Sequence, residues 1–107
     1  MKKHFMCTHS FLSDETKEKF DNAMRGMTDA EVIEATKNDK AEMIGHWRGN
    51  GDFFFCHWFA ENEDAIFETL DTLGFGQLMS TLPNEIYLYL DSGALTGKTT
   101  EELAQSD

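Results

Sequence analysis

The chain has 107 residues, 20 of them acidic and 9 basic, which gives a net charge of −11. This length favours one domain, and a hydrophobic content of 40% is enough to build one core. The acidic excess argues against nucleic acid and anionic membranes as partners, because both bind through basic patches. The sequence has no long apolar run and only two cysteines, so we expect a cytoplasmic protein with reduced thiols.

The first part of the chain predicts a strand followed by two helical pieces. Residues 4–11 carry no charge on either face of a strand, which favours a central position in a sheet. Ser13 is a suitable N-cap for a first helix, whose apolar residues recur at helical spacing within residues 20–27. Thr28 and Glu31 have the spacing of a capping box, which predicts a second, short helix.

The most aromatic stretch of the chain predicts a β-hairpin. Its middle, residues 49–52, reads Gly-Asn-Gly-Asp, which is typical of a tight turn. Apolar residues on both sides predict strands over residues 41–48 and 53–59. In the simplest register His46 pairs with Phe55, whereas a bulge would shift the pairing by one residue and reverse every face.

The second half of the chain predicts one more helix, one more strand and a tail. The helix is capped near Asn62, and Pro83 is expected to break the chain before a final strand over residues 86–90. The polar remainder, residues 92–107, predicts a mobile tail with a fragment of helix near its end. The folded domain is therefore expected to cover residues 1–91.

The element order β-α-β-β-α-β is that of the ferredoxin-like arrangement, an α+β fold built on a four-stranded antiparallel sheet. We expect the first and third strands to lie side by side in its middle and to run parallel. Both helices should then cover one face of the sheet. A second copy of the same sheet is expected to cover the other face, which would make a homodimer of the dimeric α+β barrel type.

Alternation along the strands predicts where the histidines lie. We expect His9, His46 and His57 to share the open face and to hold a transition-metal ion such as nickel, copper or zinc, which imidazole suits. The alternative is that these histidines are hydrogen-bonded within a polar dimer interface or to buried carbonyls. The residues predicted to line a ligand cavity beside them are Phe5, Cys7, Phe53, Phe55, Tyr87 and Tyr89.

The opposite face of the sheet is assigned to the helices. Its predicted members are Met6, Thr8, Trp47, Phe54, Cys56 and Trp58. A one-residue shift in the third strand would send His57 into the helices and bring Cys56 to the cavity. Cys7 and His9 are two positions apart on a strand, about 6 to 7 Å. That is too far for a nucleophile and its base, so we expect Cys7 to be a packed thiol.

Three segments carry a resemblance to a known group of proteins. HFMCTHSF, HWRGNGDFFFCHWFAENEDA and EIYLYL resemble the small ferredoxin-like families of unknown function that include nickel-responsive bacterial proteins. Cys7 stands where those families usually carry an acidic residue, two positions before the strand-one histidine. The matching positions are His9, Trp47, Phe55-Cys56, Glu63-Asp64-Ala65 and Ile86-Tyr87.

Two functions follow as hypotheses from this arrangement. The first is a protein that binds a small ligand or a metal ion in a cavity on the open face of the sheet. The second is a cofactor-independent monooxygenase-like enzyme acting on a small apolar substrate, with a histidine as general base. Antibiotic-biosynthesis-type monooxygenases use the same fold, so fold alone does not choose between the two. A purely regulatory domain would need a docking strip, and the sequence has no obvious one.

Overall fold

Four strands build one antiparallel sheet in the computed structural model, which describes residues 1–104. The strands are β1 (Lys3–Phe11), β2 (Ala41–Arg48), β3 (Phe53–Ala60) and β4 (Met79–Glu85). The helices are α1 (Asp14–Met24), α2 (Asp29–Ala35), α3 (Glu63–Thr72) and α4 (Thr100–Leu103). The α+β class and the antiparallel sheet are confirmed, and the strand order β2-β3-β1-β4 is consistent with the ferredoxin-like arrangement.

The two central strands, β1 and β3, run antiparallel, so the predicted parallel pairing is wrong. Cys7 lies directly opposite Cys56, and His9 lies opposite Phe54. The cause is topological. The crossover through α1 and α2 returns the chain parallel to β1, and the hairpin then reverses it before β3 enters between β1 and β2. Directly opposite residues share a face, so these pairs decide which side each histidine occupies.

The β2–β3 hairpin is shifted by one residue from the simplest register. His46 pairs with Cys56, not with Phe55, and Trp47 takes the place opposite Phe55. The turn is therefore longer than two residues, and a further irregularity lies between Met43 and Gly45. A bulge of this kind was the alternative that the sequence left open.

The last strand begins earlier than predicted. β4 covers residues 79–85 and pairs with β1, whereas residues 86–90, predicted as the strand, follow it. Pro83 lies inside β4 opposite Cys7, although it was expected to break the chain. Proline is tolerated here because β4 is an edge strand, where its missing N–H can face away from the sheet.

The residues predicted to be N-caps stand at the starts of α1, α2 and α3. The Ser13 hydroxyl accepts from the Thr16 amide at 3.1 Å, and the Thr28 hydroxyl accepts from the Glu31 amide at 3.1 Å. The Asn62 side chain likewise accepts from the Ala65 amide, at the start of α3. These contacts satisfy amides that have no partner within the helix, which is why short polar residues stand at these positions.

The hydrophobic core lies between the sheet and the helices α1 to α3. Phe20 from α1 and Ile66 and Leu70 from α3 pack against the buried faces of β1 and β3. Phe54 and Trp58, each 1% exposed, are the largest buried side chains of β3. Phe54, Cys56 and Trp58 thus face the helices as predicted. None of the helices within residues 1–104 has the length and apolar character needed to cross a bilayer.

The tail beyond Asp91 is expected to be dispensable for folding. No residue between 92 and 104 is buried, although α4 forms the predicted fragment of helix. A chain ending at Asp91 should melt within about 5 °C of the full chain, the shift that roughly 1 kcal/mol produces in a domain of this size. Thermal unfolding followed by circular dichroism checks this. A larger drop would show that Leu103 contributes to the body of the domain.

Candidate functional site

The face of the sheet away from the helices carries a row of exposed apolar side chains. Trp47, Phe55, Thr8 and Leu82 lie side by side across all four strands, because each is paired with the next. Trp47 is 49% exposed, Phe55 44% and Leu82 63%. Phe53, at the same face of β3, is 60% exposed. This open face is an unusually aromatic surface for a sheet that faces solvent.

Gly45 lets the Trp47 indole lie across the open face. A Cβ at Gly45 would stand 2.7 Å from the indole carbon Cη2 and 3.4 Å from the His57 Cβ. The missing side chain therefore makes room for the indole beside His57. Nothing in the local sequence distinguishes Gly45 from other glycines, because its contact with the indole and with His57 depends on how the side chains pack on the sheet.

His57 is buried in the open face although α1, α2 and α3 lie on the other side of the sheet. Its neighbours across the sheet are Gly45 and Met6, and it is 8% exposed. Its Nε2 atom lies 3.0 Å from Nδ1 of His4, which is within hydrogen-bonding distance. Burial, and secondarily His4, lower the pKa of His57 below its ordinary value of 6.5. His57 is therefore neutral at pH 7.

A cavity of about 190 Å³ lies against this histidine pair. Its other walls come from residues 86–89 and from Leu103 of α4. The ring centre of Tyr89 lies 5.8 Å from that of His57, so this predicted cavity residue packs beside the histidine pair. Tyr87, which is 73% exposed, lines the same cavity.

The other histidines face the helices. His9 is 1% exposed, stacks on Phe54 with ring centres 4.5 Å apart, and bonds to the Thr81 hydroxyl at 2.9 Å through Nδ1. Burial, and secondarily His46, lower the pKa of His9 to about 4. Its Nε2 atom and Trp58 Nε1 are buried without a partner among residues 1–104. Both residues line an internal cavity of about 30 Å³, which has room for a water molecule.

His46 and the two cysteines form a packed group on the same helix side. His46 Nδ1 lies 3.2 Å from the Cys56 sulfur. Burial raises the pKa of the Cys7 thiol to about 12 and raises the pKa of Cys56 as well. Both cysteines are free. Thiols that stay protonated at pH 7 are poor nucleophiles, which agrees with the structural role expected for Cys7.

The prediction that His9, His46 and His57 share the open face of the sheet is wrong. His9 and His46 face the helices, while His57 lies on the open face, so the three do not converge. Within residues 1–104 no group of three or more His, Cys, Asp or Glu side chains is placed to hold a metal ion. The predicted ligand residues divide in the same way: Phe5 and Cys7 are buried under the helices, whereas Phe53, Phe55, Tyr87 and Tyr89 are exposed. Met6, Thr8 and Trp47, assigned to the helices, lie on the open face.

His4 is the residue that the sequence argument missed. Alternation along β1 puts His4 on the face opposite His9, and the antiparallel register brings that face against His57. His4 and His57 also flank Phe59, whose ring centre is 4.7 Å from that of His4. With the antiparallel pairing known, their neighbouring positions could have been predicted from alternation alone.

No protein-family model, curated protein or solved structure matches this chain. The resemblance to ferredoxin-like families that include nickel-responsive proteins stays a prediction. Function has to be argued from the side chains.

Two other surface features carry no comparable chemistry. A shallow groove of about 530 Å³ between residues 35–40 and α3 is lined by small and charged side chains, without an aromatic ring. Arg48 at the hairpin mouth bonds to Asp21 at 2.7 Å and lies over the Phe11 ring, 5.1 Å from its centre. Arg48 is therefore engaged in an ion pair, and the open face remains the better candidate.

Proposed function

We propose that this protein binds a small, largely apolar molecule on the open face of its sheet, in a cavity enclosed by two copies of the chain. The observation that carries the proposal is His57, a nearly buried polar side chain among the exposed aromatic residues of that face. Binding sites for small molecules typically combine apolar walls with a few placed polar groups. Trp47, Phe53 and Phe55 would supply the walls and His57 the polar contact.

The homodimer is part of this proposal because one chain cannot enclose the open face. Trp47, Phe55 and Leu82 form a continuous row, and the helices that could cover it lie on the other side. Packing two such rows together would remove apolar surface from water and leave a space between the sheets. A dimeric α+β barrel with its cavity at His57 would result.

A neutral, fluorescent apolar compound tests the binding site directly. N-phenyl-1-naphthylamine is suitable because a chain with net charge −11 would repel an anionic dye. We expect saturable binding with energy transfer from tryptophan that falls in Trp47→Phe, where only the buried Trp58 remains as donor, and at least about tenfold weaker binding in Phe55→Ala. Leu12→Ala is the matched control, since Leu12 is exposed beyond the end of β1. Equal binding by all three variants would contradict the proposal.

A second candidate is an enzyme that uses the same cavity without a cofactor. It is favoured by the His4–His57 contact, because a neutral histidine oriented by a second group can accept a proton from a substrate. His57 would be the base and His4 the positioning residue. Turnover of an apolar phenol or quinol in the presence of oxygen, lost in His57→Gln with binding of the naphthylamine retained, would favour the enzyme.

A further inference from the structure

We infer that His4 and His57 together form a binding site for a divalent first-row transition-metal ion, with their two imidazoles as adjacent ligands. The pair belongs to one chain, so the site requires neither a second copy nor an organic ligand on the open face. It differs from the three-histidine set expected from the sequence, since only His57 is common to both.

The distance between the two nitrogen atoms suits chelation. His4 Nδ1 and His57 Nε2 are 3.0 Å apart. With metal–nitrogen bonds of about 2.0 to 2.1 Å, that separation gives a nitrogen–metal–nitrogen angle of about 91° to 97°. Neighbouring ligands in square-planar or octahedral coordination subtend about 90°, the geometry that Cu²⁺ and Ni²⁺ adopt with nitrogen and oxygen donors. Tetrahedral coordination of zinc would need the nitrogens about 3.3 Å apart.

Both rings are held in place by the sheet itself. His57 pairs with Gly45 and Met6 on the neighbouring strands and is only 8% exposed, so its ring has little freedom to move. The ring of His4 packs on that of Phe59, with centres 4.7 Å apart. A site whose ligands are already positioned loses little side-chain entropy when the ion binds. The hydrogen bond between the rings shows that the two nitrogens already meet. Binding an ion would move the shared hydrogen to the other nitrogen of its ring and turn both rings so that their lone pairs point at the ion.

The surroundings leave space for the remaining ligands. The cavity of about 190 Å³ beside the pair can hold the ion together with water molecules in its open coordination positions. The net charge of −11 attracts cations to the chain. Copper should bind most tightly of the divalent ions, since it heads the affinity order for nitrogen donors.

Titration of tag-free protein with copper(II) chloride in a buffer that does not chelate metals tests the site. We expect one equivalent to bind per chain with a dissociation constant of about 1 μM or lower. Electron paramagnetic resonance should show two imidazole nitrogens that couple to the bound copper with similar strength. His4→Gln and His57→Gln should each weaken binding at least about tenfold, with one nitrogen left in the spectrum. His4 is exposed, so His4→Gln should leave the fold intact, which circular dichroism checks.

Two controls separate this site from other histidines and from the ligand proposal. His46→Gln should bind copper like the wild type, because His46 lies on the helix side. Phe55→Ala, which the ligand proposal expects to bind the naphthylamine more weakly, should retain the copper site. Unchanged affinity in His57→Gln, loss in His46→Gln, or no wild-type binding below about 100 μM would each overturn the inference. Failure of naphthylamine binding alone would leave it standing.

Discussion

Lowering the pH from 7 to 4 should reduce the free energy of unfolding by roughly 3 kcal/mol through His9 alone. The pKa of His9 falls from 6.5 to about 4 on folding, because burial, and secondarily His46, disfavour its charged form. Each unit of pKa shift corresponds to about 1.36 kcal/mol. His9 is 1% exposed, so screening by solvent does little to reduce this effect.

The sign of this change in the free energy of unfolding follows from which state of the chain, folded or unfolded, binds the proton more tightly. Below about pH 6.5 the unfolded chain protonates His9, whereas the folded chain holds it neutral until about pH 4. The unfolded state therefore binds more protons in this window, and stability falls as the pH falls. The stability is fully present above about pH 6.5, and the loss is complete below about pH 4. His57 and His46, whose pKa values are also lowered, act in the same direction.

Urea unfolding of wild type and His9→Gln at pH 7, 5.5 and 4 measures the His9 contribution. The variant should be less stable at pH 7, since it loses the stacking on Phe54, but it should lose at least about 2 kcal/mol less between pH 7 and pH 4. Thr81→Val is the control, because it removes the hydrogen-bond partner of His9 and keeps the titrating ring. Parallel pH profiles for wild type and His9→Gln would contradict the assignment.

Replacing Phe55 with glutamate should separate the proposed homodimer into folded monomers. Phe55 lies in the middle of the exposed row, between Trp47 and Thr8. In a dimer that packs the open faces together, two carboxylates would be buried close to each other, which costs several kcal/mol. A cost of about 4 kcal/mol raises the dissociation constant about a thousandfold. The side chain is 44% exposed in one chain, so the fold should tolerate the change.

Light scattering after size-exclusion chromatography measures this result. Wild type should give about twice the chain mass of 12.2 kDa and Phe55→Glu about that mass, at the same concentration. Leu12→Glu is the matched control, because Leu12 is 60% exposed but lies outside the open face. A monomeric wild type, or a Phe55→Glu variant that stays dimeric, would rule out packing through this face.

Local chemistry in the sequence predicted the elements accurately where a single residue type sets a boundary. Ser13, Thr28 and Asn62 cap their helices because a short polar side chain can bond to a backbone amide three positions later. Strand β2 has the predicted bounds, and β3 extends only one residue further. Pro83 misled the prediction, since proline breaks a central strand but is tolerated at the edge, and the sequence does not reveal which strand is at the edge.

The candidate site depended on strand direction and register, which are properties of pairing between distant segments. Alternation alone puts Phe5, Cys7, His9 and Phe11 on one face of β1, and all four are buried. It could not decide which face met the helices. The antiparallel pairing of β1 with β3 and the one-residue shift in the hairpin then separated His9 from His57.

By itself the sequence determined the α+β class, the helix caps, the absence of charge over residues 4–11 and 53–60 and the concentration of aromatic residues in the hairpin. These follow from side-chain chemistry and spacing within a few residues. Only the tertiary structure placed His4 beside His57 and left Trp47, Phe53 and Phe55 together in solvent. A shift of one residue in a strand reverses every side chain, so a site assembled from several strands is fixed only when the sheet forms.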